Sequence, residues 1–253
     1  MAKILAFANQ KGGVGKTTTA IHLAAAVAER HYRVLLVDMD PQGNLASGLG
    51  IRKTDVKNTV YHALIGKCAP EDAIVPTNVE KLSLMPSHLS LVGVEAELSG
   101  TEGCTSRLSS VLSALSERFD YIFIDCPPSL SLLTVNALVA ANAVLVPMTC
   151  DFYALEGLSQ LTISLKKVRS LYNPSLDLVG ILLTMHQSRL TLTQEVVAEL
   201  KKRYSEKLFK TAISRSVRLA EAPGFGSTVF VSAPASKSAK EYRAVAKELM
   251  MRI

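Results

Sequence analysis

Residues 11–18 read Lys11-Gly12-Gly13-Val14-Gly15-Lys16-Thr17-Thr18. Glycines at this density let several backbone N–H groups turn toward one anion without Cβ clashes. An apolar run precedes them (residues 4–8, ILAFA) and an Ala-rich stretch, 17–30, follows. These read as a strand and a helix, so the helix would aim its unpaired N–H groups and positive dipole end at the same anion. Lys16 then neutralises the β- and γ-phosphates of a nucleotide, and the Thr17 hydroxyl is placed to ligate Mg²⁺, with Thr18 next in the cradle. The predicted ligand is Mg²⁺-ATP. One departure stands out: Gln10 occupies the place of the first glycine in the usual G-x-x-x-x-G-K-[ST] loop, and Lys11 is an additional lysine.

Two further apolar runs end in carboxylates. Residues 34–37 (VLLV) lead into Asp38-Met39-Asp40-Pro41-Gln42-Gly43. A carboxylate there can accept a hydrogen bond from an attacking water or hold the shell of a metal. Stiff Pro41 and pliant Gly43 suit a loop that orders around a γ-phosphate. An Asp after a strand is also a common helix cap; its spacing of one βαβ unit from the glycine loop favours chemistry. Residues 121–124 (YIFI) end at Asp125, the Walker B arrangement, where the carboxylate holds a water of the Mg²⁺ shell. Asp120 starts that run, at the wrong edge, and reads as structural.

These residues need a scaffold, and the periodicity supplies one. Further apolar runs at 143–146 and 178–183 alternate with helical stretches at 105–118, 132–141, 155–171 and 193–204. The pattern predicts an α/β fold: a doubly wound, mostly parallel sheet with helices on both faces. Ligands of such sheets bind beyond the carboxyl ends of the strands, where Asn9, Asp38 and Asp125 fall. No repeat or low-complexity segment divides the chain, so residues 1–253 are expected to form a single ATPase domain without an N-terminal helix-turn-helix extension. A final helix, 238–250, spaces Ala239, Tyr242, Val245, Ala246 and Leu249 on one face that should dock on the core.

Composition narrows the class. No window approaches the roughly 18 consecutive apolar residues of a membrane span, and no signal peptide precedes the motif, so a cytoplasmic protein is expected. Cys68, Cys104, Cys126 and Cys150 form no C-x-x-C pair and read as small hydrophobes. Charge is uneven: residues 1–150 hold 12 Lys/Arg against 13 Asp/Glu, whereas 151–253 hold 16 against 9. Within 189–218 lie Arg189, Lys201, Lys202, Arg203, Lys207, Lys210, Arg215 and Arg218, opposed only by Glu195, Glu199 and Glu206. Such a surplus is either a solvated helix face or the footprint of a polyanion partner.

The glycine loop, Asp38-Met-Asp-Pro-Gln-Gly-Asn44 and Ile124-Asp-Cys-Pro-Pro-Ser129 resemble the deviant-Walker-A ATPases, and within them the ParA/Soj chromosome- and plasmid-partitioning group. Ala154-Leu-Glu-Gly-Leu158, Leu183-Thr-Met185 and Val217-Arg-Leu-Ala-Glu-Ala-Pro223 extend the likeness over nearly the whole chain. The resemblance implies that Lys11 is the signature lysine, reaching a partner subunit's phosphates in a homodimer with ATP sandwiched. It implies that Asp40 positions the hydrolytic water while Asp38 supports loop and metal. The resemblance places adenine between Thr184-Met185 and residues 213–216, making Met185, Ser214 and Ser216 base-site residues. This chain departs there, reading Ile213-Ser-Arg-Ser216 where the family has Ile-Pro-Arg-Asn. Implied DNA contacts are Arg189 and Arg218, with Lys201 and Lys202 as neighbours, in non-specific contact with double-stranded DNA of the nucleoid. A ParB/Spo0J-like centromere-binding protein is the implied partner, and no stable membrane association is expected.

Three rivals share parts of this pattern. A MinD-like septum-positioning ATPase would end in a basic amphipathic membrane tail, whereas this chain ends Glu248-Leu-Met-Met-Arg-Ile253. An iron–sulfur ATPase would need a cysteine a few residues past Asp125, where Leu130, Leu132 and Leu133 stand. A nucleotide-binding adaptor without hydrolysis is opposed by Asp40 and Lys11.

Overall fold

A computed structural model describes residues 1–253. The strands are β1 (Lys3–Phe7), β2 (Val34–Asp38), β3 (Val75–Pro76), β4 (Leu82–Met85), β5 (Tyr121–Asp125), β6 (Ala143–Met148) and β7 (Asp177–Leu183). They form one sheet in the order β3-β4-β2-β5-β1-β6-β7. All neighbours run parallel except the edge strand β3, which pairs antiparallel with β4. Every residue of β2 and β5 is buried, as expected of central parallel strands covered on both faces. Pro76 sits on the edge, where no ladder hydrogen bond is lost. From β1 the chain winds toward β2 on one side and later returns to β6 on the other. The crevice at that reversal, beyond the end of β1, is where residues 11–18 lie.

The helices are α1 (Lys16–Ala28), α2 (Asn44–Gly48), α3 (Val60–Leu64), α4 (Val94–Leu98), α5 (Arg107–Leu115), α6 (Leu132–Ala140), α7 (Ala154–Leu171), α8 (Thr191–Tyr204), α9 (Val217–Glu221), α10 (Val229–Ser232) and α11 (Lys237–Arg252). Alternation along each strand builds two cores. Leu35, Val37, Ile122 and Ile124 pack under α5, α6 and α7; Val34, Leu36, Tyr121 and Phe123 face α1 and α11. This is the doubly wound, mostly parallel α/β architecture the sequence predicts. No helix is long and apolar enough to cross a membrane.

Two joints bear on the site. The alanines of α1 let α11 approach closely, and Ala239, Tyr242, Val245, Ala246 and Leu249 are all buried there. The Tyr242 hydroxyl lies 3.3 Å from Thr19 Oγ1, and its ring stacks on His22 with centroids 5.0 Å apart. His22 Nδ1 lies 2.7 Å from the Thr18 carbonyl oxygen, and Nε2 accepts a hydrogen bond from the Val229 N–H at 3.1 Å. The second joint is backbone on backbone: Gly50, after α2, meets Gly226, after α9. A Cβ on Gly226 would come within 2.4 Å of Gly50 Cα, and both residues hold positive φ, 74° and 57°.

Burial lowers the His22 pKa from its ordinary 6.5 to about 4. The neutral ring is therefore the folded form, and its contribution is intact above pH 6.5 and lost as pH falls toward 4. Between pH 7 and pH 5 the wild type should lose about 2 kcal/mol more than a His22→Gln variant that cannot titrate. Urea unfolding at the two pH values measures it; equal losses would refute the assignment.

Candidate nucleotide site

Residues 11–18 curl around the amino end of α1. Gly13 and Gly15 hold φ of 74° and 82°, the left-handed region that favours glycine; Gly12 meets no such demand. No side chain caps α1 and no acidic residue stands in its first turn, so its leading N–H groups are left for an outside acceptor. Asn9 fastens the loop to the sheet. Its Nδ2 donates to the Pro147 carbonyl at 2.8 Å and its Oδ1 accepts from the Lys11 N–H at 3.0 Å. The Thr184 hydroxyl donates to the Val14 carbonyl at 2.8 Å, tying the loop to the end of β7. Lys16 folds back so that Nζ donates to the Lys11 carbonyl at 3.0 Å. Only 7% exposed, its ammonium has its pKa lowered by burial, against the pull of Asp125, Cys126 and Asp40.

The carboxylates gather beside this lysine. Asp38 and Asp125 are partners in the β2–β5 register, so both strands end at the same level. Asp38, fully buried, accepts from the Asp40 and Leu45 N–H groups, each at 3.1 Å. It thereby caps α2, whose preceding residue Gly43 has φ 63° and offers no side chain. Burial, with the Asp125 charge next, pushes the Asp38 carboxyl well above its usual range. Burial likewise pushes Asp125 up to about 7, against the Thr17 hydroxyl and Lys16. Asp125 Oδ1 is buried and has no hydrogen-bond partner. Asp40 stands at the rim, half-buried, its Oδ1 accepting from the Gln42 N–H at 2.9 Å. Asp120, at the far end of β5, pairs with Arg33 at 2.8 Å, away from the site. No group of three or more His, Cys, Asp or Glu could hold a metal alone. The orphaned Asp125 oxygen and nearby Thr17 instead fit an ion that keeps water and phosphate oxygens as ligands, the habit of Mg²⁺.

A cavity of about 340 Å³ adjoins the loop, running from Gly15 and Thr18 to Met185 and residues 213–216. Its two walls are held together by short backbone pairing. The Ile213 N–H donates to the Leu183 carbonyl at 2.8 Å and the His186 N–H to the Ile213 carbonyl at 2.9 Å. Met185 has φ 49°, costly for a residue other than glycine, and remains 45% exposed at the cavity mouth. Met185, Ser214 and Ser216 are thus brought to one cavity beside the phosphate loop.

The cations are more dispersed. Lys11 is exposed and pairs with Asp151 at 2.7 Å within its own chain, a partner no local sequence signal announces. Arg189 and the Lys201-Lys202 pair lie at opposite ends of α8, about 20 Å apart along its axis. Arg189 and Arg218 instead follow the two sides of the His186–Ser214 bridge by three and four residues. Several charges are already partnered: Lys202 and Arg203 with Glu199, Arg218 with Glu221, and Lys207 with Asp177. Asp177 and Glu221 fall outside residues 189–218. Of the cysteines, only Cys126 is fully buried, and all four are free.

The family described as "AAA domain" matches residues 2–178. The chain is 48% identical over 249 residues to the sporulation initiation inhibitor protein Soj of Bacillus subtilis, covering 98% of each chain. It is 46% identical over 252 residues to the chromosome partitioning protein ParA of Myxococcus xanthus, covering 100% of this chain and 89% of that one. The chain belongs to the ParA/Soj family. A solved structure described as cobyrinic acid a,c-diamide synthase from Mycobacterium smegmatis, with bound ADP and magnesium, superposes with a TM-score of 0.87. That protein is 37% identical, with 99% of this chain and 94% of that one covered. In this ParA/Soj-family chain the glycine loop, Lys16 and the buried carboxylates stand at the switch point of the sheet.

Thr184→Val should leave the buried Val14 carbonyl unpaired and cost about 1–2 kcal/mol of unfolding free energy, with Thr184→Ser restoring most of it. The urea midpoints of the nucleotide-free proteins measure this; an unchanged Thr184→Val midpoint would show that the loop does not depend on this anchor.

Proposed function

We propose that residues 1–253 act as one P-loop ATPase domain that binds Mg²⁺-ATP, dimerises around it, holds DNA non-specifically and hydrolyses ATP to drive chromosome or plasmid partitioning. The observation that carries this reading is the unspent polarity of the crevice. Uncapped α1 N–H groups and a buried Lys16 converge where a nucleotide polyphosphate would accept from them. The partnerless Asp125 oxygen would accept from the water shell of the accompanying Mg²⁺. The relatives at 46–48% identity carry partitioning and sporulation names, and the reading follows them in preference to the synthase name at 37%.

Each residue then has a task. Gly12, Gly13, Val14, Gly15 and Thr18 present backbone groups to the phosphates, and Lys16 releases the Lys11 carbonyl to neutralise them. Mg²⁺, when bound, shields the phosphate charge; Thr17 and, through water, Asp38, Asp40 and Asp125 would hold it. Asp40, on the rim of the loop that Asp38 anchors, orients the attacking water. Met185, Ser214 and Ser216 take the base. Lys11 exchanges Asp151 for the phosphates of a second subunit. An exposed ion pair contributes only about 0–1 kcal/mol, so Asp151 offers little resistance to that exchange.

DNA binding follows from valency. One subunit offers Arg189, Lys201, Lys202 and Arg218 as a few dispersed phosphate contacts. Two subunits clamped on ATP present both sets together, and linkage multiplies affinity without new contacts. Binding should weaken steeply with salt as counterions are released. A ParB/Spo0J-like protein would stimulate hydrolysis and release the dimer from the nucleoid.

Lys16→Ala should abolish binding of a fluorescent ATP analogue. Asp40→Ala should bind ATP yet turn it over at least about tenfold more slowly, whereas Lys11→Ala should bind it as a monomer by light scattering. Co-sedimentation with DNA should require ATP, fail with ADP or no nucleotide, and be lost in Arg189→Glu or Arg218→Glu without loss of dimerisation. Equal DNA affinity with and without ATP, or ATP-dependent binding to anionic vesicles in place of DNA, would overturn the reading; the vesicle result would favour a MinD-like role.

A further inference from the structure

The wall of the cavity formed by residues 213–216 is held from two directions. On one side it pairs with the end of β7 through Ile213 and through Arg215, whose N–H donates to the His186 carbonyl at 3.4 Å. Alternation along an extended segment turns the intervening Ser214 N–H the opposite way, where the ladder cannot satisfy it. Glu241 of α11 satisfies it instead. Its Oε2 accepts from the Ser214 N–H at 2.9 Å and its Oε1 from the Ser214 hydroxyl at 2.7 Å. The carboxylate is 12% exposed and is steadied by Lys237 Nζ at 3.6 Å, one turn earlier on the same helix.

The next residue on α11, Tyr242, lines the same cavity and reaches α1 through Thr19. One helical turn thus touches both halves of the nucleotide site: Tyr242 abuts the helix behind the phosphate loop, and Glu241 grips the wall opposite Met185. Charge-assisted hydrogen bonds to a carboxylate are about twice as strong as neutral ones, and here both converge on one residue.

We propose that Glu241 is a positioning residue for base recognition: by fastening Ser214 through two hydrogen bonds it sets the separation of the 213–216 wall from Met185, and so the fit of the purine. This rests on the reading of the crevice as an ATP site. It gives Ser214 a positioning task beside its place in the base cavity: its N–H and hydroxyl hydrogen are both engaged by Glu241, which leaves the hydroxyl oxygen able only to accept from the base. The base is then read by groups the clamp holds in place, Ser216 and the backbone of the segment among them.

The test separates base from phosphate by using ATP and inorganic tripolyphosphate as competing ligands of the full chain, in magnesium buffer, against a fluorescent ADP probe. Glu241→Ala should weaken ATP about tenfold, the effect of losing two such bonds, leave tripolyphosphate within about twofold, and narrow the preference for ATP over GTP. Glu241→Gln, which can accept from the N–H and donate to the hydroxyl oxygen, keeps both bonds without their charge assistance and should weaken ATP only about two- to threefold. Ser214→Ala removes only one bond and should weaken ATP alone, about threefold; it carries the test if Glu241→Ala does not fold. Equal weakening of ATP and tripolyphosphate would make Glu241 a general prop and overturn the proposal. Unchanged ATP affinity, or a Glu241→Gln variant as impaired as Glu241→Ala, would do the same. A wild-type chain that binds neither ligand would instead remove the ATP-site reading itself.

Discussion

One buried ammonium and two buried carboxylates gather at the end of the sheet, and the local structure is shaped around that imbalance. Register fixes it: β2 and β5 are aligned so that Asp38 and Asp125 finish side by side. Like charges so placed in a water-poor site raise each other's proton affinity, and burial adds to it. Asp38 is relieved by two backbone N–H groups; Asp125 is left with an oxygen that bonds to nothing. A fold selected for stability alone would have apolar residues at such positions. Keeping the carboxylates there leaves that side of the crevice short of positive charge, which a divalent cation would supply, while the polyphosphate's own charge would be met by Lys16 and the α1 N–H groups.

The surrounding contacts hold that arrangement open. Asn9 and Thr184 clamp the glycine loop from two strands, so its amides stay fanned outward without a ligand. Asp38 couples the carboxylate pair to α2, because the side chain that accepts from the Leu45 N–H belongs to the residue registered opposite Asp125. On the same face of the sheet as α2, His22 and Tyr242 lock α1 to α11 through stacked rings. Helix α11 therefore braces both α1 and the cavity wall at residues 213–216, while α2 braces the buried carboxylates.

Much of this was legible because fully buried parallel strands are contiguous apolar runs. Residues 34–37 and 121–124 announced both their burial and the carboxylates at their ends, and the glycine loop announced itself by composition. β3 and β4 were not anticipated: β3 is two residues with a proline, and Ser83 interrupts the apolar run of β4. Contacts between residues distant in sequence left no local trace. Lys11 with Asp151, Ser214 with Glu241, and Asn9 with Pro147 are set by topology, not by any period or spacing. The basic segment likewise meets acids outside its own span: Lys207 pairs with Asp177 and Arg218 with Glu221.

The meeting of Gly50 and Gly226 has a mechanical meaning. Most loops touch through side chains, which rotate and slide, so that a shift on one side is partly absorbed before it reaches the other. Here the two backbones bear directly on each other, steadied by the Asn78 side chain donating to the Gly226 carbonyl at 3.0 Å. No rotamer lies between the chain leaving α2 and the chain leaving α9. The contact therefore works as a hard stop against approach between the carboxylate side of the crevice and the segment that carries Arg218.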